Sequence, residues 1–137
     1  MRSNLDLFRS LRAELRFLES GGYAKVADAT GREPLIFQDS PACPNYDNPL
    51  EETPCSNCAL LALVPPQQRN RPTPCRHIVL NSRNETVESL SQVGDAAEAE
   101  RQLHSWLAKT IQAIENARIA SMPWFPKFDA ATKMFRA

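Results

Sequence analysis

The stretch Thr53-Pro54-Cys55-Ser56-Asn57-Cys58-Ala59-Leu60-Leu61-Ala62-Leu63-Val64-Pro65-Pro66, with its echo Thr73-Pro74-Cys75-Arg76-His77, decides how this chain is read. The two-residue gap in Cys55-Ser56-Asn57-Cys58 lets both thiols of one short turn converge on a single ion. Cys75 follows with sixteen residues between it and Cys58, and His77 comes two positions later. If Cys75 opens a strand, the period of two puts Cys75 and His77 on one face, and two chelating pairs joined by a loop make the usual plan of a tetrahedral site. Cys43 adds a fourth thiol in Pro41-Ala42-Cys43-Pro44. Cys43, Cys55, Cys58, Cys75 and His77 are therefore five candidate ligands for four positions. The prolines around Cys43 hold its thiol in a fixed direction, which favours a four-cysteine set, with His77 supporting the site or replacing Cys43.

The surrounding composition argues for a metal with a structural role. Nine of the eleven prolines lie between Pro34 and Pro74, where they remove backbone donors and forbid long regular elements. Residues 39–76 carry few large apolar groups, so burial does not offset the entropy of ordering them. A structural zinc site supplies an apparent stabilisation on the order of 10–16 kcal/mol, enough to order such a loop. Zinc is the preferred cofactor. An iron–sulfur cluster is the alternative, since four cysteines at irregular spacing suffice chemically, although the tight cysteine run of ferredoxins is missing. A dithiol function of Cys55 and Cys58 ranks third, because no apolar strand precedes the pair as a thioredoxin-like site requires.

Outward from this centre, the pattern becomes helical. Leu5, Phe8, Leu11, Leu15 and Leu18 recur at three- and four-residue steps, with Ser3 and Asp6 resembling a capping box and Gly21-Gly22 as a stop, which predicts a helix over 4–20. Asp95, Glu98, Leu103, Trp106, Leu107, Ile111 and Ile114 predict a second helix over 95–120. Short extended segments are expected at 35–38, 77–80 and 86–90, the last two joined through Asn81-Ser82-Arg83-Asn84 as a β-hairpin. The expected fold is α+β, mostly α: two amphipathic helices flank a proline-rich, metal-clamped loop with a small hairpin. Residues 1–121 form the metal-stabilised domain and 122–137 an aromatic tail.

Composition sets the remaining bounds. With 137 residues the chain suits one core. Sixteen basic and sixteen acidic residues give no general attraction to nucleic acid or anionic lipid. The longest apolar run, Ala59 to Val64, falls far short of a membrane span, and the N-terminus meets Asp6 and Arg9 before any signal-peptide core could form. A cytoplasmic location is expected, where four cysteines suit metal or redox chemistry better than disulfides.

Arg69, Arg71, Arg76 and Arg83 near the cysteines, and Arg9, Arg12 and Arg16 on the first helix, read as solvated side chains, so nucleic acid is not the favoured partner. Trp124, Phe125, Phe128 and Phe135 place four of the ten aromatics in the last sixteen residues; such a tail needs a surface, either this protein's own core or a protein partner, where aromatic anchors dominate interface energetics. His104 reads as a helix-surface histidine. No phosphate loop, nucleophile elbow or matched carboxylate–histidine set is present. The sequence therefore points to a non-enzymatic, zinc-binding interaction or assembly module.

Overall fold

The computed structural model describes residues 4–46 and 54–120. Four α-helices carry the fold: α1 (Asn4–Glu19), α2 (Gly22–Thr30), α3 (Val87–Gln92) and α4 (Ala96–Ala120). Between α2 and α3 the chain advances through short 3-10 turns at Cys55–Asn57, Ala59–Leu63, Pro66–Gln68 and Pro74–His77. The proline density explains this choice, since each proline fixes φ near a helical value while denying the donor that a longer ladder needs.

The helices α1 and α4 form the spine. They run antiparallel, because the Arg118 guanidinium lies 5.2 Å from the centre of the Phe8 ring near one end and His104 Nε2 meets Glu19 Oε2 at 3.0 Å near the other. Leu11, Leu103 and Leu107 are fully enclosed along the seam. Each such side chain contributes about 1.5–3 kcal/mol. The start of α4 is fixed by Asp95, whose carboxylate accepts from the Glu98 N–H at 3.0 Å, as its N-cap position demands. The Arg12 guanidinium also lies over the Phe8 ring, at 5.6 Å from its centre.

The expected β-hairpin is not formed, and no strand occurs among the described residues. Local capping explains the difference. Thr86 Oγ1 accepts from Ser89 N–H at 3.0 Å while Ser89 Oγ accepts from Thr86 N–H at 2.9 Å. This reciprocal capping box starts α3 where a strand over 86–90 was expected. The other arm keeps one backbone bond, Leu80 N–H to the Glu85 carbonyl at 2.8 Å, around a turn in which Asn81 Oδ1 accepts from the Arg83 and Glu85 amides. The 35–38 segment is likewise a turn, closed by Asp39 N–H on the Leu35 carbonyl and by Leu35 N–H on Asp39 Oδ2. Arg32 holds Asp39 with both terminal nitrogens, at 2.9 and 3.1 Å. The fold is mostly α, and among the described residues it lacks the β component.

The helix α2 was hidden by the Gly21-Gly22 pair. Gly21 adopts φ 76° and ends α1, but the chain turns and resumes as a helix at Gly22. A Cβ on Gly22 would lie 2.6 Å from Phe17 ring carbons, and that ring packs edge-on against Tyr23 with centroids 4.9 Å apart. Gly22→Ala is therefore expected to lose about 1–2 kcal/mol in urea unfolding, because overpacking outweighs the gain of about 1 kcal/mol from alanine's helix propensity. A stabilised variant would contradict this packing account.

The proline-rich middle also contributes more to the core than its composition suggests. Leu60 and Val64 are each 1% exposed, beside Phe37 and Ile78 from its flanks, and the Ala59–Leu63 turn packs against α1. No described helix is long and apolar enough to cross a membrane.

Candidate metal centre

Three separate pieces of the chain carry the four thiols to one place. Cys55 opens the 3-10 turn Cys55–Asn57, and Cys58 follows it in an extended conformation (φ −79°, ψ 136°), with its N–H closing on the Cys55 carbonyl at 3.0 Å. Cys75 lies in the turn Pro74–His77, which packs against the Ala59–Leu63 turn. Cys43 belongs to a run of turns in which its N–H bonds the Ser40 carbonyl at 3.1 Å and its own carbonyl accepts from Tyr46.

Cys43, Cys55, Cys58 and Cys75 all line one cavity of about 320 Å³. Its apolar walls include Phe37, Leu60, Leu61, Pro72 and Pro74. All four cysteines are thiols, with Cys55 exposed and the others half-buried. Burial pushes the Cys75 thiol up to about 12, and the nearby Cys58, Cys43 and Cys55 push in the same direction, against a weaker pull from Arg76. Four thiolates crowded around a partly dry cavity repel one another. A cation between them would reverse that balance, because it favours every thiolate at once. No group of three or more His, Cys, Asp or Glu side chains among the described residues is arranged to hold a single metal ion.

His77 does not line this cavity but an adjoining groove that shares Pro72 and Thr73 with it. The strand that would have set Cys75 and His77 on one face is a 3-10 turn instead, in which residues two apart lie about 120° apart around the axis, with three residues per turn. Cys75 faces the thiols, whereas His77 lines a groove with Arg71, Thr73, Arg76, Glu88 and Gln92. Arg76 Nε in that groove donates to Glu88 Oε1 at 2.8 Å, holding the Glu88 carboxyl below the usual range. The other arginines near the cysteines are also engaged: Arg69 Nε donates to the Val64 carbonyl, Arg71 Nε to Gln68 Oε1, and Arg83 pairs with Glu85. His104 sits on the surface of α4 against Glu19. The aromatic residues Trp124, Phe125, Phe128 and Phe135, and the capping residue Ser3, lie outside the described residues.

A buried polar network supports the Cys43 segment from below. Glu14 on α1 is fully enclosed. Its Oε2 accepts from the Tyr23 hydroxyl at 2.5 Å and its Oε1 from the Ser40 hydroxyl. Tyr23 Oη accepts in turn from the Phe37 N–H at 2.9 Å, and Ser40 Oγ from the Ala42 N–H at 3.2 Å. Burial raises the Glu14 carboxyl above its usual value, although both hydroxyls oppose the shift, and it raises the Tyr23 phenol as well. Phe37, which lines the cysteine cavity, is held at φ 71°, a left-handed conformation that costs a bulky side chain on the order of 1–3 kcal/mol. The hydrogen bond to Tyr23 secures it.

Glu14, Tyr23, Ser40 and Phe37 were not singled out from the sequence. One signal was present, since Glu14 falls three residues after Leu11 and four before Leu18, placing a carboxylate on the apolar stripe. Among the described residues no buried side-chain nitrogen or oxygen lacks a partner. No family model, curated protein or solved structure matches this chain.

Proposed function

We propose that this chain is a small non-enzymatic module in which Cys43, Cys55, Cys58 and Cys75 together hold one metal centre that clamps the turn-rich middle to the helical spine. The observation that carries this reading is the shared cavity: thiols from three chain segments, spread over residues 43–75, face the same space. Cysteines buried by chance have no reason to converge in this way. The segments that deliver them are 3-10 turns and bends, elements with few backbone bonds of their own, so a thiolate-bound metal supplies what local structure does not. His77, in its separate groove, is not among the ligands in this reading.

The aromatic tail with Trp124, Phe125, Phe128 and Phe135 is the part we assign to a protein partner, on composition alone. Removing the metal from the full chain with a chelator, under conditions that leave the helices folded, tests the clamp. The near-ultraviolet circular dichroism is expected to collapse and the hydrodynamic radius to grow, while the far-ultraviolet helix signal largely persists. A metal-free protein with unchanged near-ultraviolet signal and radius would reject a structural role for the centre.

A further inference from the structure

Cys55 and Cys58 differ from the other two thiols in both backbone geometry and access. The Cys58 N–H closes on the Cys55 carbonyl at 3.0 Å, and a turn closed by such a bond holds its first and fourth Cα atoms within about 7 Å. A disulfide needs its Cα atoms about 4.4–6.8 Å apart. Both side chains line the same cavity, so they face a common space. Only Ser56 and Asn57 separate them, against eleven residues between Cys43 and Cys55 and sixteen between Cys58 and Cys75. The entropy of closing a loop rises with its length, so this pairing is the easiest of those available. Access follows the same order. Cys55 is exposed while the other three are half-buried, and Cys58 also lines a surface groove with Asp6, Ser56, Asn57 and Arg69.

We infer that Cys55 is a site of reversible oxidation by hydroperoxides, resolved by Cys58, and that the disulfide so formed releases the metal. The release step rests on the four-cysteine reading above. A metal-bound cysteine is a thiolate, which is the nucleophilic form, and an accessible sulfur beside a resolving cysteine is the arrangement that oxidises selectively. The Cys55 sulfur attacks the terminal oxygen of the hydroperoxide, the O–O bond breaks, and the leaving alkoxide or hydroxide takes a proton from solvent. Cys55 is then a sulfenic acid. The Cys58 thiolate attacks that sulfur, the S–O bond breaks, and hydroxide leaves and is protonated to water. Two thiolates have lost two electrons, and the hydroperoxide has gained them with two protons to give an alcohol and water, or two waters from hydrogen peroxide. The neutral disulfide leaves the ion only Cys43 and Cys75, half of the donors that a structural zinc site uses. A thiol reductant reverses the change and restores the ligands.

The full chain is loaded with zinc under reducing conditions, freed of reductant and unbound zinc, and treated with hydrogen peroxide. Released zinc is followed with a colorimetric indicator, and the remaining thiols are alkylated in denaturant and located by mass spectrometry. Loss of the bound zinc is expected together with loss of two thiols, the label reaching Cys43 and Cys75 but reaching Cys55 and Cys58 only after dithiothreitol. Dithiothreitol with fresh zinc restores the starting state. In the Cys58→Ser chain, dimedone is expected to trap the sulfenic acid on Cys55. A disulfide that includes Cys43 or Cys75, dimedone on either of those residues instead of Cys55, or a zinc-loaded chain whose thiols resist peroxide would overturn the inference and leave the four-cysteine reading standing. Failure to bind zinc before peroxide is added, or zinc retained after the Cys55–Cys58 bond has formed, would overturn a four-cysteine zinc centre and the release step with it.

Discussion

Replacing Cys75 by alanine is expected to abolish retention of the metal centre and to loosen residues 54–77, while His77→Ala leaves both unchanged. The two residues are two positions apart, yet Cys75 faces the thiol-lined cavity and His77 faces the Arg76–Glu88 groove. A four-thiolate centre of the proposed kind supplies stabilisation on the order of 10 kcal/mol, in addition to the burial of Leu60 and Val64, so losing one ligand removes much of that term. Metal content after gel filtration and hydrogen exchange across the 3-10 turns provide the readouts. Equal loss in the two variants would mean that His77 belongs to the centre, against the geometry of the Pro74–His77 turn.

The second large effect is expected at Glu14. Glu14→Ala strips the buried Tyr23 hydroxyl of its acceptor and leaves the Ser40 hydroxyl only its bond to the Phe37 carbonyl, and an orphaned buried group costs about 1–3 kcal/mol, with a further loss from the void. A total of about 3–5 kcal/mol in urea unfolding follows. Because the network also anchors Phe37 and the Ser40–Cys43 turn, the variant should release its metal centre more readily as well. The isosteric Glu14→Gln variant separates charge from shape. The folded carboxyl titrates above its ordinary 4.5 because burial penalises the charge. Its contribution is therefore present in full below about pH 4.5 and is lost as pH rises through the folded value. The stability difference between the natural protein and Glu14→Gln should thus move against the natural protein as pH rises above about 4.5. A difference that moves the other way would show that the two hydroxyls favour the carboxylate more than burial opposes it.

The spine was legible in the sequence because helical periodicity is a local property of adjacent turns. Leu11, Leu103 and Leu107, read from spacing alone, are the most enclosed side chains of the α1–α4 seam. Asp95 capped its helix as its position relative to Glu98 indicated. The hairpin failed because β-branched residues around Thr86 suggested extension, whereas Thr86 and Ser89 satisfied each other's amides and nucleated a helix. Likewise Gly22 looked like a terminator, but its missing side chain serves the close approach of Phe17. These misses share a cause: a cap and a ring contact are decided by geometry that residue type alone leaves open.

The candidate site divides along the same line. Cysteine spacing nominated Cys55, Cys58 and Cys75, and the proline frame nominated Cys43, before any three-dimensional information. The separation of His77 from them depended on a 3-10 turn replacing a strand. The convergence of the thiols on one cavity and the Glu14–Tyr23–Ser40 network are long-range products of packing, the network joining residues up to 26 positions apart, and no local pattern encodes such distances.

Native mass spectrometry of the anaerobically purified full chain, run alongside the four single Cys→Ser variants and His77→Ala, tests most directly whether four cysteines hold one group. The account predicts a single mass increment on the natural protein and on His77→Ala, with Cys43, Cys55, Cys58 and Cys75 each required to retain it. An increment that survives any of the four cysteine replacements undiminished, or that disappears with His77, would contradict it.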